Sequence, residues 1–437
     1  MPVYLSIILL SSLSLAQAGA PRVKTKFGVV EGSYKTSEPG SRTFSAFQGL
    51  PYAQPPTGSL RFQPPRPNEV FYSPESPLSA TSSTRQCPQV DPATGDFTGS
   101  EDCLVLNVFS PETSFDGEEL HPVMVWIHGG GFQFGSANSE IYGPERLLEE
   151  DIVLVTINYR LGALGFLTSG DQAAPANVGL LDQRLALTWV RDNIRAFAGD
   201  PGQVTLFGES AGGISVSAHL ASPGSQGLFH RAIAMSGVWA ETPFLHVSKH
   251  PSEYGRALGD WLGCQDLEDT KLLVSCLQSK PAKDIVETSK SFPLFDFVPE
   301  PFIPVVDDWM ETPVLPAPLD QVWKNPLNPE IPVMLGGTKD DGVLLLLQFL
   351  KDEELYSRVN ENYVSELPAL LLGVDPDVAK TDEGETATAQ VLRDSYLPGD
   401  GKMSSEVTSQ MVRLFTDVHF LAPIDKVGPH CLLTWLI

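Results

Sequence analysis

A chain of 437 residues, 42% of them hydrophobic, carries ample material for a large core, and 29 basic against 54 acidic residues give it a net charge of −25. Such a surface repels polyanions, which excludes nucleic acid and anionic membranes as partners. A mean hydropathy of −0.04 fits a soluble globular protein, and no stretch beyond the N-terminus is apolar for long enough to cross a bilayer.

Residues 1–18 read as a secretory signal peptide. Tyr4 to Leu15 is an apolar run too short to span a membrane, and Ala16-Gln17-Ala18 fits an A-x-A cleavage site. The expectation is a secreted, extracellular protein with one α/β domain over 19–437. Phe27 to Gly32 predicts an early hairpin strand. Phe47 to Phe62 is dense in Pro and Gly and predicts an ordered, irregular segment wrapped on the surface. In an oxidising compartment the five cysteines read as two short-spaced pairs, Cys87 with Cys103 and Cys264 with Cys276, with Cys431 left over. No Cys/His spacing suggests a metal, no N-x-[ST] sequon is present, and no cofactor is expected.

Leu104 to Val108, Val123 to Ile127 and Ile152 to Asn158 predict strands, the last two apolar enough to be buried on both faces of a parallel sheet. Leu180 to Phe197 predicts an amphipathic helix on Leu181, Leu185, Leu187, Trp189, Val190 and Ile194. Val204 to Phe207 is a further strand. Ser248 to Asp320 reads as pocket wall or cap. Ile331 to Gly337 is a late strand, followed by a mostly helical, acidic remainder. Strands alternating with helices imply a parallel α/β sheet.

Two motifs carry chemistry. Gly208-Glu209-Ser210-Ala211-Gly212 fits G-x-S-x-G between a strand and a helix, the context of a nucleophile elbow. His128-Gly129-Gly130-Gly131 follows a strand upstream, as an oxyanion motif should. Glycines without Cβ let several amides converge on one oxygen, and each donor is worth about 10²–10³ in rate. Together they point to acyl transfer.

The sequence resembles the type-B carboxylesterases, the cholinesterase-like branch of the α/β-hydrolases. The matching stretches are Phe47 to Phe62, Glu101 to Val108, His128 to Phe132, Asn177 to Gln183, Asn193-Ile194, Phe197 to Pro201, Val204 to Gly213, Met235-Ser236-Gly237 and Asp307. The resemblance implies a mostly parallel central sheet flanked by helices and a serine carboxylesterase acting on small-molecule esters. It implies Ser210 as nucleophile, and the amides of Gly130, Gly131 and Ala211 as the oxyanion hole. It also implies Glu209 and Ser236 as polar support, and both cysteine pairs as disulfides. The family places its acid as Glu in K-D-E-G. Here Lys339-Asp340-Asp341-Gly342 puts Asp341 in that position.

The chain departs from the family at its histidine. The family's base lies in a G-x-x-H-G-x-E-type turn, well downstream of the segment that Phe415 to Pro423 resembles. Lys426 to Ile437 does not resemble it. His430 is the candidate base, on a tether short for that role, and His419 is expected to be structural. The expectation is a C-terminally shortened member lacking the family's last strand and helix, with an exposed apolar sheet surface that Leu432 to Ile437 would partly cover. The alternative function is a catalytically impaired or non-catalytic cholinesterase-like protein. Choline esters are disfavoured because the stretch between Cys87 and Cys103 has no Trp. The sequence does not fix the ester or the oligomeric state.

Overall fold

The computed structural model describes residues 19–431 apart from positions 83–84, 241–249, 293–300, 318, 325–329, 352, 364–365, 368–370, 372–382, 398, 400 and 405–406. The leader at 1–18 and the tail at 432–437 lie outside the described residues. The strands are β1 (Arg22–Thr25), β2 (Gly28–Glu31), β3 (Ser33–Thr36), β4 (Thr43–Pro51), β5 (Leu78–Ser79), β6 (Gln89–Val90), β7 (Phe97–Thr98), β8 (Val105–Ser110), β9 (His121–Ile127), β10 (Val153–Ile157), β11 (Gly199–Glu209), β12 (Arg231–Met235) and β13 (Val333–Gly336). The helices that matter below are α1 (Gly162–Phe166), α2 (Val178–Asn193), α3 (Ala211–Ala221), α4 (Pro251–Trp261), α5 (Thr270–Ser279), α6 (Ala282–Ser289), α7 (Leu319–Lys324) and α8 (Val343–Lys351).

Eight strands form the central sheet in the order β13-β12-β11-β9-β10-β8-β4-β3. The four pairings from β13 to β10 are parallel, and the three from β10 to β3 are antiparallel. This is the mostly parallel sheet flanked by helices that the sequence implied. Strand alternation sorts its residues into two faces. Val123, Val125, Ile127, Val204, Leu206, Ala232, Ala234, Val333 and Leu335 join the main core. Trp126, Phe207, Phe109 and Leu154 join a second cluster on the opposite face. Along one register row of that face, exposure runs from Trp126 at 9% and Phe207 at 8%, through half-buried Ile233, to Met334 at 38% on the edge strand. The face is closed at the centre of the sheet and opens toward β13.

One expectation needs correction. Phe47 to Pro51 is not irregular but belongs to β4, paired with β8 through a register shift between Phe47 and Leu50. The Gly49 in its middle, at φ 80°, hid the strand signal. The rest of that stretch is irregular, and Arg61 pins it. Its guanidinium donates to Glu101 at 2.7 and 2.6 Å and to the carbonyls of Leu277, Gln278 and Lys280 at the end of α5. Orphan carbonyls at a helix C-terminus are natural partners for such a cation. Both expected disulfides are present, Cys87–Cys103 and Cys264–Cys276, and Cys431 is free. Each closes a short loop, stabilising by about 3 kcal/mol on the chain-entropy account. Among the described residues no helix is long and apolar enough to cross a membrane.

The deepest ion pair joins the segment after β10 to α2. Arg160 donates to Asp182 from Nε and Nη2, both at 2.7 Å, and from its backbone amide at 3.0 Å, while Nη1 reaches the Gln63 carbonyl at 2.8 Å. Burial raises the Asp182 pKa, against the opposing pull of Arg160. Removing one partner of such a pair leaves an uncompensated buried charge. Asp182→Ala is therefore expected to lower the unfolding free energy by about 3–5 kcal/mol, read as a fall in the urea midpoint. A loss below about 1 kcal/mol, the scale of an exposed pair, would contradict this account.

Candidate active site

The C-terminal ends of four adjacent parallel strands meet at one place, where α/β sheets put their ligand crevices. β11 ends at Glu209, α3 begins at Ala211, and Ser210 between them has φ 56° and ψ −123°. A non-glycine residue held there costs about 1–3 kcal/mol. The flanking glycines are fixed by contact. A Cβ on Gly208 would lie 2.5 Å from the Gly212 carbonyl carbon, and one on Gly212 would lie 2.1 Å from the Ile127 oxygen. Strand, turn and the end of β9 are thus in backbone contact.

Neighbouring strands tie into the same turn. The Ser210 amide donates to the Met235 carbonyl at 2.8 Å, and the Ser236 amide donates to Gly336 at 2.7 Å. A Cβ on Gly237 would sit 2.3 Å from the Ser210 oxygen. Ser236 is buried at φ 51°. On the other side, Gly129 runs against the turn: its Cβ would lie 2.8 Å from Glu209 Oε2 and 3.1 Å from the Ser210 Cβ. Gly130 and Gly131 follow with φ 104° and 60°. Among the described residues, none accepts a hydrogen bond from the amides of Gly130, Gly131 or Ala211. Orphan backbone donors are rare in folded proteins and are ready partners for an oxygen.

This glycine loop is held from behind. Gln89, inside the first disulfide loop, accepts from the Gly135 amide at 2.8 Å and donates to the Gly135 carbonyl at 3.0 Å. His128 stacks on Tyr159 with centroids 4.5 Å apart, and the Tyr159 hydroxyl donates to the His128 carbonyl at 3.0 Å.

Asp341 follows β13. Its carboxylate accepts from the Thr338 amide at 2.8 Å and from the Thr338 hydroxyl. It lies close enough to Glu209 to act on it: Glu209 is exposed overall, but partial desolvation of its carboxylate raises the pKa, and the Asp341 charge raises it further. His430 is exposed at the end of a 3-10 turn over Gly428–His430, and among the described residues no histidine ring bonds to Ser210 or Asp341. His419 is buried beside Phe415, with its pKa pushed down to about 3. The structure thus groups Ser210, Glu209, Gly130, Gly131, Ala211, Ser236 and Asp341, and among the described residues it shows no hydrogen bond from His430 to any of them. No group of His, Cys, Asp and Glu suited to a metal occurs among the described residues.

Comparison with known proteins shows the family. A profile of the Carboxylesterase family matches residues 19–431. The chain belongs to the carboxylesterase family. It is 36% identical to a carboxylic ester hydrolase of Bombus ignitus over 94% of this chain and 72% of that protein. It is 35% identical to venom carboxylesterase-6 of Apis mellifera, over 93% and 71%. Juvenile hormone esterase of Manduca sexta, solved with OTFP covalently attached, superposes with a TM-score of 0.80 at 29% identity, covering 95% of this chain and 77% of that one. The chain is a carboxylic ester hydrolase of the α/β-hydrolase fold.

Sequence reasoning missed three buried polar ties in this carboxylesterase: Gln89 on the glycine loop, and Asn177 and Asp307 on the segment from Val305 to Leu315. Asn177, at φ 60°, donates to the Val305 carbonyl at 2.8 Å and accepts from the Val305 amide at 2.9 Å. Asp307 accepts from the amides of Val314 and Leu315 at 3.0 and 2.7 Å. Their only local signal is a polar residue in an apolar context.

Two outcomes follow from this packing. Gly212→Ala forces a Cβ onto the Ile127 oxygen and is expected to cost at least about 2 kcal/mol, as overpacking does; an unchanged denaturation midpoint would refute the contact. The second concerns acid. Burial pushes the His128 pKa down to about 4 and that of His219 to about 3, with Arg184 adding to the latter. A folded pKa below the unfolded value of 6.5 favours the fold fully above pH 6.5. That contribution fades as pH falls toward 4 and below, at about 1.4 kcal/mol per unit of separation. The stability advantage of the wild type over His219→Gln should therefore be largest at pH 7.5 and shrink by pH 4. An advantage that grows on acidification would reverse the sign argued here.

Proposed function

We propose that the chain is a secreted serine carboxylesterase that hydrolyses small-molecule esters through an acyl-enzyme on Ser210. In this reading Ser210 Oγ attacks the ester carbonyl, its proton passes to a histidine base, for which the sequence offers His430, and the amides of Gly130, Gly131 and Ala211 take up the developing negative charge. Asp341 occupies the acid position of the triad, and Glu209 and Ser236 support the turn. The single observation that carries it is the meeting of the strained Ser210 turn with Gly129, alongside three amides that have no described acceptor. OTFP covalently attached in the Manduca sexta juvenile hormone esterase supports covalent chemistry on this fold. Two disulfides, the leader-like residues 1–18 and the venom carboxylesterase of Apis mellifera support secretion.

A second reading is favoured by the acid itself. The Asp341 carboxylate is folded back onto Thr338, and His430 is exposed in a separate turn. Without a base to take the Ser210 proton, turnover falls by several powers of ten, while oxyanion stabilisation persists. One experiment separates the two. A fluorophosphonate probe is expected to mark the Ser210 peptide and to miss it in Ser210→Ala. With 4-nitrophenyl acetate, a rate at least about a hundredfold above Ser210→Ala supports the esterase, and a rate within about tenfold supports the impaired form. His430→Ala should abolish the Ser210-dependent rate of the esterase and leave that of the impaired form unchanged. An adduct elsewhere than Ser210 sinks both.

A further inference from the structure

Beneath the elbow, buried side chains form one continuous hydrogen-bond chain that the ester chemistry does not use. Ser215 Oγ donates to the Ala211 carbonyl at 2.9 Å, and Gln183 Nε2 donates to Ser215 Oγ at 3.0 Å. Gln183 Oε1 lies 2.9 Å from His219 Nε2, and His219 Nδ1 lies 2.8 Å from Ser225 Oγ. Gln183 and Ser215 are fully buried, and His219 and Ser225 are 1% exposed.

The proton order of this chain is forced. A carbonyl cannot donate, so the Ser215 hydroxyl gives its only proton to Ala211. Ser215 Oγ must then accept from the Gln183 amide group, which turns the Gln183 carbonyl oxygen toward His219. That oxygen only accepts, so His219 carries its proton on Nε2 and its Nδ1 accepts from Ser225. Each choice fixes the next, from α2 across to α3.

We propose that Gln183, His219 and Ser215 are positioning residues for the nucleophile, a single proton-ordered chain that locks the first turn of α3 and with it the Ser210–Ala211 peptide. This rests on the reading of Ser210 and Ala211 given above. The Ser210 carbonyl accepts from Ile214 at 2.9 Å one residue before the Ala211 carbonyl accepts from Ser215, so both carbonyls beside the elbow are held by the same turn. The nucleophile and its adjacent amide are displaced together if that turn tilts, and small misplacements are costly in rate. A set of independent core hydrogen bonds would behave differently. Cutting one would leave the others as they are, whereas in an ordered chain the loss of Ser215 frees the Gln183 amide to turn over and swap the His219 tautomer.

The test uses the full-length protein with 15N-labelled histidine at pH 7. The wild type should show His219 with a protonated Nε2 and a bare Nδ1. Ser215→Ala should populate the opposite tautomer, and the rate constant for fluorophosphonate modification of Ser210 should fall about tenfold. Ser215→Thr, which keeps the hydroxyl, should restore both. If Ser215→Ala does not fold, Ser215→Cys, a weak donor of similar volume, carries the same comparison. A His219 tautomer indifferent to loss of the Ser215 hydroxyl overturns the proposal, as does an unchanged modification rate in a variant whose tautomer has swapped. A wild type that is not modified at Ser210 overturns the Ser210 reading instead, and the tautomer response still decides whether the chain is ordered.

Discussion

A β-strand that must turn into a helix at a residue with φ 56° sets the terms for the rest of this molecule. Ser210 can hold that geometry only if the surrounding backbone over-determines it. Three backbones do so by touching. Gly208 and Gly212 let β9 and β11 close on the turn, Gly237 lets the chain after β12 approach the Ser210 carbonyl, and Gly129 closes the third side. A side chain at any of these places would have to occupy space that another backbone already fills. The glycines of the site are therefore a packing requirement of the turn before they are an electrostatic one.

Around that turn, the segments that carry no regular structure are held by buried polar groups as well as by apolar side chains such as Tyr52, Phe62, Phe132 and Tyr159. Arg61 joins the irregular N-terminal stretch to the first disulfide loop and to the end of α5. Gln89 ties the glycine loop to that same disulfide loop, Arg160 and Asp182 clamp the segment after β10 to α2, and Asn177 hooks α2 to Val305. A loop has no ladder of its own, so its buried amides and carbonyls must find partners one at a time. Each such partner also fixes where the loop runs, which is how a site built from four loops keeps one geometry.

The acidic side of the site is arranged differently. Glu209 and Asp341 stand near each other in a protein of net charge −25, and partial desolvation together with Asp341 makes the Glu209 carboxylate harder to ionise. Thr338 satisfies both oxygens of Asp341. One face of the sheet loses cover toward β13, where Met334 reaches solvent, and Val343, Leu344 and Leu347 of α8 are also exposed. The nucleophile half of the site is tied into the centre of the sheet, and the acid half follows the edge strand β13.

What the sequence determined by itself was whatever is encoded by neighbours along the chain. Alternating and continuous apolar runs marked β8 to β11 and β13, the glycine-serine pattern marked the Ser210 turn, and short spacing marked both disulfides, while β12 went unmarked. These signals are local because strand pairing, tight turns and short loops are satisfied within a few residues. The tertiary structure alone decided which polar residues meet. Nothing near Arg160 announces Asp182 or the Gln63 carbonyl, and nothing near Gln183 announces Ser215 and His219. It also decided that Phe47 to Pro51 is a strand despite its glycine and proline, because β8 offered a partner edge. And it decided that Asp341 turns its carboxylate to Thr338 while the His430 side chain is exposed. A carboxylate takes whichever donors the folded chain brings within reach, and that reach is a property of packing rather than of sequence order.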